Sequence, residues 1–494
     1  MKVPLKSSQT NSVNTSFHTP TNSVGCYEPT SVLDVRRSPS PASAIPAVPA
    51  VTETHSEDPL LQWDDEFVLN QIGDWDSMLR DLELRDESSH SQPQHFSDIS
   101  SEYNHILSLQ NPNQSFGNFL EDSDVSFGFD FIDELIKAAE CFELNELQLT
   151  QLILARLNQQ LKSPSGKPLQ RAAFYFKEAL LSLLSGGSNR PARLSSLEIV
   201  HTIRAYKAFS GISPVPMFAN FTANQAVLEA VDGSAFVHIV DFDIGLGGQW
   251  SSFMKEIADR FDSNKTKPPV LRISAIVTEE YAIETKLIRD NLSQFAEELK
   301  IRFHIEFILL RNFEVLSFKS IKFIDCEKLA VNLSPFLFRR LGESVRVSSF
   351  LSDLRRISPH VVVFVDCEGW IGSETTSFRR SFIEGLEFYS SLFESLDAAG
   401  VSGSDWVKKI EAFVLQPKIL ASVSGGFRNT TSSWRDLFSG SGMRPVLFSQ
   451  FAEFQAECLV RRAQLRGFHL AKRHTEMLLC WHERVLVSTS AWRW

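Results

Sequence analysis

The sequence is poor in the residues that announce most metal, redox and nucleic-acid chemistries. Its 494 residues hold only 6 cysteines (Cys26, Cys141, Cys326, Cys367, Cys458, Cys480), widely scattered, with no Cys-x-x-Cys pair and no histidine at zinc-ligand spacing. No metal site or disulfide framework is expected, and the cysteines read as free thiols in a reducing compartment. Positive charge is scarce too: 49 Lys and Arg against 60 Asp and Glu give a formal net charge of -11. Gripping nucleic acid by overall charge is thereby excluded, while a local basic face is not. No apolar run is long enough to span a bilayer, and the opening Met1-Lys2-Val3-Pro4-Leu5-Lys6 lacks the apolar stretch of a secretion signal. The expectation is a soluble intracellular protein with no membrane partner. Also missing are a Gly-x-Ser-x-Gly elbow, a His-Glu-x-x-His pair, a Walker loop, a zinc finger, a basic zipper, a homeodomain helix and any repeat period.

What is present divides into two regions. Residues 1–127, rich in Ser, Thr, Asn, Gln and Pro, bury too little apolar surface to offset the entropy of ordering, and are expected to be a disordered regulatory arm. Within it Ser38-Pro39-Ser40-Pro41 follows Arg36-Arg37, a pattern open to phosphorylation and equally common as plain linker. Segment 60–87 differs, because Trp63, Phe67, Leu69, Ile72, Trp75 and Leu79 sit among Asp64, Asp65, Glu66, Asp74, Asp76 and Asp81. Acids that keep aromatics solvated suit an activation segment that folds on a partner; the bland alternative is a helix docked on its own domain.

Residues 128–494 are expected to be ordered. About 128–235 reads as a helical cap: Leu135, Ala138, Ala139, Leu149, Leu152, Ile153 and Leu157 recur at helical spacing, and further helices are predicted at Pro168–Leu184, Leu197–Phe209 and Pro216–Val231. From 236 onward strands alternate with helices. Strands are predicted at Phe236–Val240, Val270–Val277, Ile301–Leu309, Leu329–Leu333 and Val361–Asp366, with helices at Gln249–Phe261, Tyr281–Leu299 and Val347–Ile357. Two longer helices follow at Ser377–Ala398 and Ser404–Val423, then three short strands, Gly467–Lys472, Met477–Trp481 and Val485–Ala491, joined by hairpin-length turns. Nearly continuous apolar strands between helices mean a parallel sheet covered on both faces. The fold class is α/β: a Rossmann-like, methyltransferase-like doubly wound sheet with an N-terminal helical cap and C-terminal antiparallel strands.

The stretch from Val237 to Trp250 carries the chemistry, if there is any. Its strand leads into Asp241, Asp243 and a turn with Gly245, Gly247 and Gly248, as a buried strand enters the first crossover helix of a dinucleotide fold. Asp243-x-Gly245-x-Gly247-Gly248 resembles the first motif of Rossmann-like methyltransferases, so S-adenosylmethionine is the alternative ligand. Against it, the second strand ends Ala275-Ile276-Val277 without a ribose-binding acid, Glu279 and Glu280 lying beyond, and Gln249 stands where a further glycine is usual. Asn332-Leu333-Ser334-Pro335-Phe336 has the wrong spacing for that class's Asn-Pro-Pro-Tyr motif. His238 reads as a hydrogen-bonded core histidine rather than a base, and Asp241 and Asp243 as caps of the turn. The reading is therefore no enzyme and no cofactor.

Two binding patterns remain. Arg461, Arg462, Arg466, Lys472 and Arg473, with Arg484, Arg493 and interleaved Trp481, Trp492 and Trp494, make a locally basic aromatic region suited to phosphate contact, or simply a solvated hairpin face. Leu180, Leu183 and Leu184 fall on one helical face in Leu-x-x-Leu-Leu spacing, which fits a partner's groove or the domain's own core.

Val237-His238-Ile239-Val240-Asp241 resembles the Val-His-Ile-Ile-Asp signature of the plant GRAS family, and Ser490-Ala491-Trp492 matches that family's C-terminal motif. Pro359, Phe388-Tyr389 and a degraded Lys409-Ile410-Glu411 resemble its intervening elements, and Glu28–Pro39 resembles the opening of the HAIRY MERISTEM subgroup. The resemblance implies a nuclear transcriptional regulator of plant development, working through other transcription factors or family members, as a homo- or heterodimer in some cases and with DNA contact in others. For the subgroup it implies meristem maintenance with homeodomain partners. No nuclear import signal stands out, the basic pairs being isolated.

Overall fold

The computed structural model describes residues 130–494 apart from 187–195, 265–266, 279–281, 370–376, 402–404 and 426–433. The arm 1–127, its segment 60–87 and Glu279 and Glu280 lie outside the described residues.

Five helices open the described chain: α1 (Asp130–Glu143), α2 (Leu147–Gln160), α3 (Pro168–Leu184), α4 (Ser196–Ile212) and α5 (Pro214–Val231). Of the apolar positions read from the sequence, Leu135, Ala138 and Ala139 of α1 pack against Ile153 and Leu157 of α2, joined there by Leu154. Leu149 and Leu152 instead face outward, 40% and 60% exposed. Helix α5 is apolar around most of its circumference and is buried accordingly, lying on the sheet with α4 before it and two helices from further along the chain against it.

The sheet alternates with helices: β1 (Phe236–Asp241), α6 (Gly248–Asn264), β2 (Val270–Val277), α7 (Ala282–Glu298), β3 (Phe303–Leu309), α8 (Leu310–Leu316), β4 (Lys328–Leu333), α9 (Pro335–Leu341), α10 (Ser344–Arg356) and β5 (Val361–Asp366). After it come α11 (Phe378–Leu396), α12 (Asp405–Ile410), α13 (Gln416–Gly425), α14 (Trp434–Gly440), β6 (Arg444–Val446), α15 (Gln450–Arg462), β7 (Phe468–Arg473), β8 (Glu476–Trp481) and β9 (Arg484–Arg493). The strand order is β3-β2-β1-β4-β5-β9-β8-β7, with β6 also on β9. The first five strands are parallel and the remainder antiparallel. This is a Rossmann-like sheet, as the sequence predicts.

Alternation along each strand serves two cores. Val237, Ile239, Ala330, Val361 and Val363 face the helical layer, whereas Val240, Val331, Val362 and Phe364 face α9, α10 and α14. The terminal motif divides the same way. Ala491 turns to the first core and Trp492 to the second, edge-on to Phe438 at 5.3 Å and Trp434 at 5.9 Å, its indole donating to Ser490 Oγ at 2.9 Å.

The helical layer is drawn from two stretches of chain, because α11 and α13 pack on α3 and α12 packs on α4. Arg171 of α3 fastens them: Nε donates to Glu411 at 2.8 Å, and Nη1 and Nη2 donate to Asp397 at 3.1 and 2.9 Å. Asp397 and Glu411 each begin a π-helical turn, a local widening that brings both acids to one guanidinium.

A polar network seals one end of β1. Arg272 donates to His238 Nδ1 at 2.9 Å, so His238 carries its proton on Nε2 and donates it to Ser274 Oγ at 2.8 Å. Arg272 also holds Glu327 with two hydrogen bonds, at 3.0 and 2.6 Å, and Ser274 donates to Glu306 at 2.5 Å. Burial, reinforced by the Arg272 charge, pushes the His238 pKa down to about 4. The unfolded chain thus binds a proton that the folded one refuses between about pH 6.5 and 4, so this residue lowers stability as pH falls through that window. His238→Gln should cost about 1–3 kcal/mol at pH 7 by leaving partners unmatched. In urea titrations the gap to the wild type should narrow steadily from pH 7 to 4.5; a constant gap would show that His238 does not titrate as described.

Candidate functional site at the carboxyl end of β1

The glycine turn is built by packing on both sides. Gly247 has φ +82, and a Cβ there would lie 3.2 Å from Ile288 and 3.3 Å from Leu292, so α7 occupies the space a side chain would need. The turn closes through Gly247 N to Ile244 O at 2.9 Å and Trp250 N to Gly247 O at 3.0 Å. Asn224 of α5 donates to Gln249 O at 3.1 Å and to Ser252 Oγ at 2.9 Å, holding the first turn of α6. Around Gly245 and Gly248 no atom comes within 4 Å of an added Cβ, and Gly245 lies on the open side.

Asp241 is sealed. Its carboxylate accepts from the Trp250 indole at 2.6 Å, Asn332 Nδ2 at 3.0 Å and the backbone N–H of Asp243 at 3.0 Å. Burial pushes its pKa up to about 6, the three hydrogen bonds pulling the other way. Asn332 also donates to Gln249 Oε1 at 3.3 Å. In the observed strand order the topological switch falls between β1 and β4, where a dinucleotide or adenosyl ligand enters a Rossmann sheet. The Gln249–Asn332 bond crosses that crevice, so the substitution of Gln249 for a glycine has a physical consequence.

Asp243 points the other way. It is exposed, yet it lies in a concavity crowded with protein, and that burial raises its pKa while Lys418 of α13 lowers it. Around it stand Ser334 at the end of β4, Arg339 of α9, and Cys367 and Glu368 after β5. Arg339 and Glu368 form a direct ion pair. Burial pushes the Cys367 thiol up to about 12, so it is no nucleophile near neutrality. His238 is buried with both ring nitrogens engaged, by Ser274 and Arg272, which removes it as a base. The Ser334 hydroxyl lies against the Asp243 carboxylate and helps to lower its pKa. The strand-end positions of Ser334 and Glu368 could have marked them from the sequence; nothing marked Lys418, which arrives from a distant helix.

The sequence-predicted binding residues separate. Leu180 is fully buried, and Leu183 and Leu184 are half-buried against the same core, so this leucine face is turned inward by the packing of α3. Of the basic set, Arg461 pairs with Glu457 and Lys472 with Glu453, both at 2.6 Å, on the surface. Such pairs are worth under about 1 kcal/mol and are readily exchanged for a phosphate. Arg473 is different, because its partner Glu476 is 4% exposed and is also held by Arg435 and Ser488. Glu476 therefore ties Arg473 to the body of the domain more firmly than Glu457 and Glu453 tie Arg461 and Lys472. Arg462 is half-buried on α15 and Arg466 is exposed just beyond it.

Asp241→Ala should leave the indole of Trp250 and the backbone N–H of Asp243 without an acceptor, and Asn332 with Gln249 alone, and destabilise the domain by about 2 kcal/mol or more. Asp241→Asn keeps an acceptor for the indole and should cost less. Equilibrium unfolding followed by tryptophan fluorescence checks the order; equal losses would mean that the hydrogen bonds are not what Asp241 contributes.

Comparison with known proteins matches the geometry to a family. Residues 131–493 match the GRAS domain family. The chain is 49% identical over 470 residues to Scarecrow-like protein 15 of Arabidopsis thaliana, covering 87% of this chain and 94% of that protein. It is 41% identical over 368 residues to Scarecrow-like protein 6 of the same plant, covering 73% and 62% respectively. DELLA protein 2 of Medicago truncatula is 28% identical, with 74% of this chain and 68% of that protein covered. The crystal structure of SCL7 from Oryza sativa aligns with a TM-score of 0.59 at 27% identity, covering 74% of this chain and 99% of that one. A family match over so much of the sequence, on a Rossmann-like sheet with its crevice bridged, leads to one conclusion: the chain belongs to the GRAS domain family of plant developmental transcription regulators.

Proposed function

We propose that this protein is a nuclear regulator that maintains meristem cells by docking other transcription factors, of homeodomain type, on the surface formed by α15 and β7. The observation that carries the reading is apolar exposure there. Phe451 and Phe454, one turn apart on α15, are 46% and 55% exposed, and Leu447 just before the helix is 72% exposed. A groove of about 480 Å³ lies along the same helix, lined by Val460, Leu465, Phe468 and Leu470 with Arg461 and Lys472. Exposed aromatics beside a groove of mixed apolar and charged lining, which also includes Glu457, Gln464 and His469, suit a protein partner whose aromatic anchors would supply most of the binding energy. The meristem role rests on sequence resemblance, in particular Glu28–Pro39. No described helix is long and apolar enough to cross a membrane.

DNA contact on this face is the second reading, supported by the exposure of Arg461, Arg466 and Lys472 together. One pair of variants separates the two. Phe451→Ser with Phe454→Ser should weaken capture of a homeodomain factor about tenfold or more while the melting temperature stays unchanged; retained affinity would move the docking surface elsewhere. Arg461→Glu, Arg466→Glu and Lys472→Glu together should leave that capture nearly intact. If DNA is bound here, the triple variant should lower the slope of log K against log salt by about 2.7, and an unchanged slope removes DNA from this face.

A further inference from the structure

The sheet ends on β3 at one side and on β7 at the other, so among the described strands none pairs with the outer edge of β7. Its inner edge pairs with β8 in antiparallel register, from Phe468 opposite Trp481 to Arg473 opposite Glu476. His482 N–H donates to Gly467 O at 2.9 Å, which sets Gly467 and every second residue after it to bond with β8. Phe468, Leu470 and Lys472 therefore turn their backbone N–H and C=O groups to the outer edge, and Phe468 N–H reaches back to Leu465 O at 3.4 Å.

The groove of about 480 Å³ beside α15 follows this edge, because its lining takes every residue from Phe468 to Lys472. Side chains of a strand alternate between its faces, so a cavity over one face would meet only every second residue; a lining of consecutive residues runs along the backbone. The opposite wall is Glu457, Val460, Arg461 and Gln464, one face of α15 and the residues at its end. A helix beside an unpaired strand edge leaves a slot for one more strand, held by main-chain hydrogen bonds on one side and side-chain contact on the other.

Cations stand at both ends of the slot: Arg461 and Arg466 near the start of β7 and Lys472 near its end, all exposed, with Glu457 and Glu453 as surface partners of Arg461 and Lys472. The chain carries a complement of its own. Segment 60–87 holds nine Asp and Glu against two Arg, and within it Asp64-Asp65-Glu66 leads into Phe67-Val68-Leu69. Added as a strand, that stretch sets Phe67 and Leu69 on one face and brings three carboxylates to a cationic end. Residues 88–129 link the segment to α1 and can span up to about 140 Å, against a radius of gyration of roughly 20 Å for a domain of this length.

We propose that the outer edge of β7 accepts Asp64–Leu69 of the same chain as an additional strand, with Phe67 and Leu69 turned toward α15. Occupancy makes a partner compete for α15, a consequence that rests on the docking surface proposed above; the docking of the segment itself does not.

Amide hydrogen exchange is followed at single-residue resolution in the full chain and in the full chain carrying Phe67→Ser and Leu69→Ser, substitutions outside residues 130–494. Exchange at Leu470 and Lys472 should quicken about tenfold or more in the variant, while His469 and Ala471, already bonded to β8, keep their rates. Unchanged rates at Leu470 and Lys472 would overturn the assignment, as would equal quickening at all four, which marks local opening instead of strand addition. A labelled synthetic peptide of residues 60–87 is then titrated into that variant. It should bind saturably, and N-methylation of alternate amides between Asp65 and Leu69 should weaken it about tenfold while the intervening amides tolerate the change. Arg461→Glu with Lys472→Glu should weaken it as well. Absence of binding, equal effects of N-methylation at every position, or undiminished affinity for the charge-reversed protein sinks the proposal. Homeodomain capture enters neither measurement, so the two readings fail separately.

Discussion

Asp241 accepts from an indole, an amide and a backbone N–H without touching solvent, and through it β1, β4 and α6 are fixed in one geometry. A carboxylate removed from water is costly unless its lone pairs are filled, and here three donors fill them. The donors are not interchangeable. Trp250 brings the first turn of α6 down onto the strand end, and Asn332 carries the restraint to β4 and on to Gln249. The turn that looks like a cofactor cradle is therefore tightened from within, and its glycine serves the close approach of α7 as much as any ligand.

The helical layer depends on a second ionic centre of the same kind. Arg171 meets Asp397 and Glu411 from a stretch more than 200 residues away, as the sequence separations of 226 and 240 record. Burial lifts the Glu411 carboxyl to about 7 against the pull of the guanidinium. Between these two centres Phe388 packs over Gly369, where a Cβ would come 2.4 Å from the ring and where φ is +66, so the loop after β5 has little choice of residue. Signature positions Val237, Ile239, Phe388, Tyr389 and Ala491 thus share the core between layer and sheet, while Val240 and Trp492 face the core on the opposite side.

The parts legible in the sequence were those with long patterns or clear punctuation. Val361–Asp366 and Pro168–Leu184 were placed to the residue, because an unbroken apolar run defines the first and Pro168 and Ser185-Gly186-Gly187 bracket the second. Helices α8, α9 and α14, each of 7 residues, escaped because two turns carry too little periodicity. Helix α15 was hidden by Arg461 and Arg462 at its end, which read as part of a basic tail. Exposure of Phe451 and Phe454 could not be foreseen, since alternating core and surface aromatics look alike without a fold. Asp241 and Gly247 were found as members of a motif, but their partners Trp250, Asn332 and Ile288 became visible only when the strands were set side by side.

Helix α5 gives the molecule a mechanical character that its surface does not suggest. It lies against β4, β5 and β9 on one side and touches α4, α6 and α15 on others, and most of its side chains are buried. A helix whose exposure is confined to a few positions such as Glu229 has few directions in which to slide without opening a cavity. Displacing this helix would open voids against the sheet and against its neighbouring helices together, so its packing couples the two.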